Sequence, residues 1–455
     1  MTTNQDAVAV QATLAHALWD GSFEVLMDRV AGCFPRREPR LTCRNMVQGL
    51  LMVKDSANCW SLAEAIGHTG PHVLQHFLSR ARFDTEAVRR TAAAWTVEQL
   101  GSREVMLVVD ETGDEKSSLD AAGAARQYSG ALGGIGLCQV AVHLSYVSAD
   151  GHALIDRRLY LGGDWAADDE RRTLAGVPDE TVFATKPQLA GDMLEAAHAS
   201  GVRAAWVAAD EVYGGRELRA RIRTLGYGYA NAAVPTSHRV TTPGSGKTKV
   251  TTLLERVPKR AWTRLRTGHG TKGERLYDWA MIEVNAHDTP PGHPDGHSHV
   301  LIRRHRRTGT VSFYRTWHLG PQPISVLVST VCRRWRVEED FQGAKGLAHL
   351  DAGQVTCWTS WHRWSLMSVL AYALLAVGAL RERQRNLADP DDDLAVVPVS
   401  PRELLTLLRV FALPRPRQDT DPAHALRWSQ WRRHHQHHAT ACHRRWNEIT
   451  ATATT

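Results

Sequence analysis

Three acidic residues stand where a carboxylate could hold metal ions: Asp110 in VVDETG, Asp210 in WVAADEVYG and Glu338 in RRWRVEEDFQGAK. The first two close apolar runs, Val105–Val109 and Ala204–Ala209, of the kind that form strands buried on both faces. The third stands in a helical pattern. Cleaving a phosphodiester requires an activated water or hydroxyl and neutralisation of charge on phosphorus and on the leaving oxygen. Two Mg²⁺ ions held about 3.5–4 Å apart supply this without a basic side chain. Mg²⁺ prefers oxygen donors and keeps several waters, so three carboxylates suffice as protein ligands. An aspartate that follows a strand commonly caps the next turn instead, and that reading stands for either one taken alone.

The glutamate is chosen by helix phase. At about 100° per residue, Arg334 and Glu338 lie about 40° apart and Glu338 and Lys345 about 20° apart, so the three share a stripe. Glu339 points elsewhere and is expected to be solvated or ion-paired. On that stripe Arg334 and Lys345 are placed to bind phosphates beside the metals; an intrahelical Arg–Glu pair is the plainer alternative.

The elements that must position these residues follow an order. Ser61–Ile66, Val73–Ala81 and Thr85–Leu100 read as helices, with Ser61/Glu64 as a capping box and Asp84 as a cap. Arg80, Arg82, Arg89 and Arg90 decorate this stretch, which suits a DNA-binding helical module or a plain bundle. Strands Val105–Val109, Gln139–Val147 and Ala153–Leu161 come next, the last two as an antiparallel hairpin. Helix Lys186–Ser200, strand Ala204–Ala209 and helix Gly215–Leu225 complete the pattern. Three strands, helix, strand, helix, strand is a ribonuclease-H-like order, in which the first and fourth strands are neighbours and Asp110 meets Asp210. Residues 233–325, rich in Gly, Thr and alternating strands, read as a β-rich insertion. Ile324–Gly346 and Trp364–Glu382 return to helix, Asp389–Asp393 is an acidic linker, and Ser400-Pro401-Arg402-Glu403 starts a tail helix.

The expected fold is α/β, a mixed sheet with flanking helices and an added N-terminal helical region. The divisions are 1–101 (helical, DNA-binding), 102–232 (first part of the core), 233–325 (insertion), 326–388 (second part of the core, with the Glu338 helix) and 389–455 (linker and basic tail).

Composition bounds the partner. The 455 residues carry 55 Lys+Arg against 48 Asp+Glu, a formal +7, and eight arginines without one acid occupy Val300–Arg336. A polyanionic partner fits, although a solvated basic face would look the same. Seven scattered cysteines without a CxxC spacing suggest reduced thiols, not a disulfide framework. The N-terminus has no signal-peptide pattern, and the apolar run Leu366–Leu380 is short for a bilayer span, so no membrane association and a cytoplasmic location are expected.

Several stretches tempt. PGSGKT at Pro243–Thr248 resembles half a P-loop, but Thr241 stands where its first glycine is required. The tail's His434, His435, His437, His438, Cys442 and His443 match no closed zinc spacing. Trp317 could stack on an unpaired base, or simply pack.

With VVDETG, RQYSG (Arg126–Gly130), GHALIDRRLYLGGDW (Gly151–Trp165), FATKPQLA (Phe183–Ala190), WVAADEVYG, GTKGERLYDWA (Gly270–Ala280) and RRWRVEEDFQGAK in this order, the chain resembles bacterial insertion-sequence transposases of the DDE superfamily. The resemblance implies a ribonuclease-H-like nuclease with a β-strand insertion and two Mg²⁺ ions, with Mn²⁺ as a substitute. Asp110 would bridge the metals, with Asp210 and Glu338 completing one side each. It implies double-stranded DNA as partner, as terminal inverted repeats and target, cut and joined by a homodimer assembled on DNA at the nucleoid. Arg126, Lys272, Arg333, Arg334 and Lys345 are the expected DNA contacts. Relatives often carry Tyr-(2)-Arg-(3)-Glu-(6)-Lys; here Val331 replaces the tyrosine, which removes one possible phosphate contact. A transposase-derived repressor or structural factor that binds DNA without cutting it is the alternative.

Overall fold

A computed structural model describes residue 17 and residues 20–55, 57–244, 246–270, 273–388, 398–414 and 422–453. After a short π turn, Asp20–Glu24, come helices α1 (Val25–Ala31), α2 (Arg37–Met52), α3 (Cys59–Ala65), α4 (His72–Ser79) and α5 (Thr85–Leu100). The Asp84 cap forms, its carboxylate accepting from Ala87 N at 2.9 Å. The Ser61/Glu64 box does not. Asn58 caps α3, accepting from Trp60 N and Ser61 N, while Ser61 Oγ accepts from Asn58 N. Asn caps at least as well as Ser, and the earlier start releases the buried Glu64 to pair with Arg432 at 3.0 Å.

The sheet begins with β1 (Met106–Glu115), β2 (Ala125–Ser129), β3 (Gly134–Val147) and β4 (His152–Leu159). Helices α6 (Gly163–Ala166), α7 (Asp169–Ala175) and α8 (Lys186–Ala199) lead to β5 (Trp206–Ala209), α9 (Arg216–Thr224) and β6 (Gly228–Val234). β1 pairs antiparallel with β3 and parallel with β5, with Val109 opposite Ala209. This is the adjacency expected of the first and fourth strands. Two features are new: β1 runs on past Asp110 to Glu115, and β2 adds an edge strand to β3.

Residues 233–325, expected to interrupt this plan, extend it. They form β7 (Arg239–Thr241), β8 (Lys247–Lys249), α10 (Val250–Glu255), β9 (Thr263–Gly270), β10 (Gly273–Glu283), β11 (His297–His305) and β12 (Val311–His318). β7 and β8 pair with each other, whereas β12 pairs with β6 and so joins β9–β12 to the main sheet. The result is a ten-stranded sheet in the order β2-β3-β1-β5-β6-β12-β11-β10-β9, with β4 on β3. The P-loop resemblance ends here, since Lys247 opens a strand and not a phosphate-cradling helix.

The remaining helices are α11 (Ile324–Arg333), α12 (Arg336–Ala348), α13 (Trp358–Ala388), α14 (Pro401–Phe411) and α15 (Pro422–Ala453). The single helix expected over Ile324–Gly346 is therefore two. Trp335 N, Val337 N and Glu338 N bond the carbonyls three residues back, at 3.1–3.3 Å, and this tight turn ends α11. Ser400 caps α14 by accepting from Glu403 N at 3.2 Å, with Pro401 in the first turn. The acidic linker at Asp389–Asp393 lies outside the described residues.

Helix α13 is the spine. It is long and apolar enough to cross a membrane, but its apolar window is wholly buried inside the protein. A helix apolar on all sides needs neighbours all round. Here they are α2, α4 and α5 on one flank and β4, α12 and α14 elsewhere. Arg363 fixes the first flank by donating to Phe77 O at 2.8 Å and Ala81 O at 2.6 Å. One apolar core thus runs from the N-terminal helices through α13 to the sheet. Arg89, considered above as DNA-facing, is buried against Asp156 at 3.1 Å and Glu86.

Candidate active site

β5 ends at Ala209 while β1 continues, so Asp110 and Asp210 emerge side by side where the parallel pairing stops. Asp210 caps the short turn Glu211–Tyr213, accepting from Val212 N at 2.9 Å. It therefore fills the capping role as well as facing Asp110. Glu338 comes from the first turn of α12.

The electrostatics of Asp110 register both acidic neighbours. Burial lifts its carboxyl to about 7, Arg334 opposes the rise, and the charges of Asp210 and Glu338 add to it. Burial, with Glu111 nearby, also raises Asp210. Asp110 Oδ1 accepts from Glu111 N at 2.9 Å and Oδ2 from Arg334 Nη1 at 2.7 Å. A buried carboxyl facing two others is a place where a cation lowers the energy. The oxygen-only donor set fits Mg²⁺ or Mn²⁺. Among the described residues, no three His, Cys, Asp or Glu side chains stand close enough to hold a metal ion, and Arg334 takes the Asp110 oxygen that a cation would share.

The expected DNA contacts fare differently. Arg334 lies in the turn between α11 and α12 with its guanidinium directed into the acidic site, so it reaches Glu338's neighbourhood through the turn and not along a shared stripe. Lys345 pairs with the buried Asp114 at 2.8 Å and donates to Gly113 O at 3.2 Å, two turns along α12 from Glu338. Phosphate would have to compete for either. Arg333 donates to Glu104 O at 2.9 Å. Arg126 is exposed on edge strand β2, and Lys272 lies outside the described residues.

The arginine run is not one face. Arg315 is buried and donates to Asn285 O at 2.8 Å, and Arg304 lies over Trp262 at 3.9 Å. Others, Arg303, Arg333, Arg334 and Arg336, line a cleft of about 730 Å³ beside the site, together with Arg266 from β9. Trp317 packs: it is buried, with Arg223 over its ring at 4.2 Å and its Nε1 donating to Asp295 O at 2.6 Å. The exposed aromatic beside the acids is Trp335, at the helix break. His434, His435, His437 and His438 are exposed on α15.

Sequence reasoning missed the partners of Glu111. Lys186 Nζ donates to its Oε1 at 2.5 Å and Tyr213 OH to its Oε2 at 2.6 Å. Glu111 thereby ties α8 and the turn after Asp210 to β1. The signal lay in FATKPQLA and WVAADEVYG, which carry Lys186 and Tyr213.

Asp110 and Asp210 stand side by side where the parallel pairing of β1 and β5 stops, in a mixed α/β protein with an arginine-lined cleft nearby. Residues 29–266 match the family described as DDE superfamily endonuclease, and the chain belongs to that family. The match includes Asp110 and Asp210 and ends before Glu338. A curated relative, "Probable transposase for insertion sequence element IS701" from Microchaete diplosiphon, is 26% identical over 155 residues. That alignment spans 34% of this chain and 37% of the relative. A solved structure titled "Cryo-EM structure of piggyBac transposase synaptic complex with hairpin DNA" aligns with 82% of this chain and 70% of its own, at 10% identity and a TM-score of 0.38.

Proposed function

We propose that the protein is a DNA transposase that cleaves phosphodiester bonds at the ends of an insertion sequence and joins the freed 3′-hydroxyl to target DNA. The observation that best supports this is the placement of Asp110 beside Asp210 where the β1–β5 pairing stops, with Arg334 on Asp110 at 2.7 Å. Family membership supports the same reading. The strand order around β1 and β5 agrees with a ribonuclease-H-like core.

Mg²⁺, or Mn²⁺ in its place, would be held by Asp110, Asp210 and Glu338 and would stabilise charge on the phosphoryl, attacking and leaving oxygens. The chain's own residues bind and orient the DNA. The arginines of the cleft hold the phosphate backbone, and Arg334 exchanges its carboxylate for a phosphate when DNA arrives. In the first reaction a water oxygen bonds to phosphorus, the P–O3′ bond breaks and the 3′ oxygen leaves with a proton. In the second, that 3′-hydroxyl bonds to a target phosphorus and displaces a 3′ oxygen of the target strand. Joining two element ends to one target calls for two copies of the protein on DNA, acting at the nucleoid in the cytoplasm.

The test is cleavage of a DNA fragment carrying the element's terminal inverted repeat in Mg²⁺. Wild type should nick it, while Asp110→Asn and Glu338→Gln bind it without cutting. Equal cleavage by the variants would sink the site assignment. Binding without cleavage by wild type, across end sequences and metals, would favour a transposase-derived repressor.

A further inference from the structure

The two acids that follow Glu338 are held from the other side of the helix. Asp340 is fully buried and accepts from His152 Nδ1 at 2.7 Å, from Tyr372 OH at 3.0 Å and from Ser145 Oγ. His152 reaches on with Nε2, 3.2 Å from Glu339 Oε2, and Glu339 also accepts from Arg336 Nη1 at 2.6 Å. The first turn of α12 is therefore tied to β3 through Ser145, to β4 through His152 and to α13 through Tyr372.

Two independent features show the fold shaped around this network. The β3–β4 register shifts between Leu144 and Ser145, at the residue that meets Asp340. Such irregularities re-aim a side chain. On α12, a Cβ added at Gly343 would stand 2.3 Å from Tyr372 Cε2, so the glycine lets the tyrosine cross α12 closely on its way to Asp340. An apolar residue would pin a helix more cheaply than a buried carboxylate, which costs heavily unless every acceptor is met. What a directed network adds is a fixed rotation and height. β3 is also the strand paired with β1, with Ser145 opposite Val108 and His143 opposite Asp110. The network thus sets the Glu338 turn against the strand that carries Asp110. Burial works against a charge on His152, but Asp340 and Glu339 prevail and raise it to about 9, so the bridge carries its proton at neutral pH.

We propose that His152 and Asp340 are positioning residues of the phosphodiester-cleaving site, fixing the orientation of Glu338 toward Asp110 and Asp210. The inference rests on the reading of Glu338 as a metal ligand. Residues that orient a ligand in this way typically contribute ten-fold or more to metal affinity.

The test is Mn²⁺ binding, followed by electron paramagnetic resonance, on the full chain with end DNA. His152→Ala and Asp340→Asn should each weaken Mn²⁺ on the order of ten-fold, with DNA affinity unchanged. Metal demand in cleavage should rise in parallel, and added imidazole should restore Mn²⁺ affinity to His152→Ala but not to Asp340→Asn. In a Glu338→Gln background His152→Ala should cause no further loss. If Glu338→Gln weakens Mn²⁺ while His152→Ala and Asp340→Asn do not, the positioning role is overturned and the site reading stands. If Glu338→Gln also leaves Mn²⁺ affinity unchanged, the site reading fails and the inference fails with it. A loss of DNA affinity equal to the loss of Mn²⁺ affinity would mark general loosening and overturn it as well.

Discussion

Asp110→Asn should stabilise the metal-free protein at pH 8 while leaving it unable to cut. In the folded chain burial lifts the Asp110 carboxyl from 3.8 to about 7. Between those values the folded state keeps a proton that the unfolded chain has released. Stability therefore falls as pH rises through that window and is level above it. The full loss is roughly 4 kcal/mol at pH 8, with little solvent screening because the residue is buried. Asparagine has no proton to lose, so it escapes this term. The carboxylate's bond to Arg334 at 2.7 Å is already part of that value, because Arg334 opposes the rise. The expectation is a variant more stable than wild type by up to roughly 4 kcal/mol at pH 8, with the advantage vanishing near pH 4. Urea denaturation in EDTA, followed by tryptophan fluorescence from pH 4 to 8, measures the difference, and titrating groups remote from Asp110 cancel between the two proteins. A difference that stays constant over this range would refute the idea that an uncompensated buried charge sits at Asp110.

Two other predictions concern the frame. Gly343→Ala pushes a methyl into Tyr372 across the α12–α13 contact and should destabilise by about 1–3 kcal/mol; an unchanged melting temperature would mean that Tyr372 is free to move. His143 and His362 are both lowered to about 3 by burial, so the unfolded chain binds protons that the folded chain refuses between that value and 6.5. Stability should drop as pH falls through this range, and His362→Gln should flatten the acid limb of the denaturation profile; an unaltered limb would show that the imidazole takes its proton in place.

Local patterns were legible because their cause is local. Thr85–Leu100 has helical spacing and a capping Asp84, and both are in the structure. Val105–Val109 and Ala204–Ala209 are apolar throughout because both faces are covered, and that composition, with the order of elements, sufficed to bring the two aspartates side by side. Beyond Asp110 the sequence reads ETGDE, which looks like a loop. It is strand because β3 supplies a partner for each of these residues, a fact no window of polar residues can carry. The break at Arg334–Trp335 was hidden for the same kind of reason: no Pro or Gly marks it. Ion pairs such as Lys345–Asp114 and Arg89–Asp156 join residues remote in sequence, so those side chains looked like free surface cations.

Glu338, Glu339 and Asp340 condense the argument. They are nearly identical in chemistry and adjacent in sequence, yet each meets a different environment. Glu338 lies within reach of the Asp110 charge, Glu339 is shared between Arg336 and His152, and Asp340 is sealed under three donors. Helix phase separates the three directions, but it cannot say what waits in each. That depends on a hairpin nearly two hundred residues earlier and on a tyrosine one helix later. A buried, fully satisfied carboxylate two residues from a site acid means that the site's geometry is held by polar bonds as well as by apolar packing. Polar bonds are directional and act at fixed lengths. A change at His152 should therefore be felt as lost metal affinity before it is felt as lost fold.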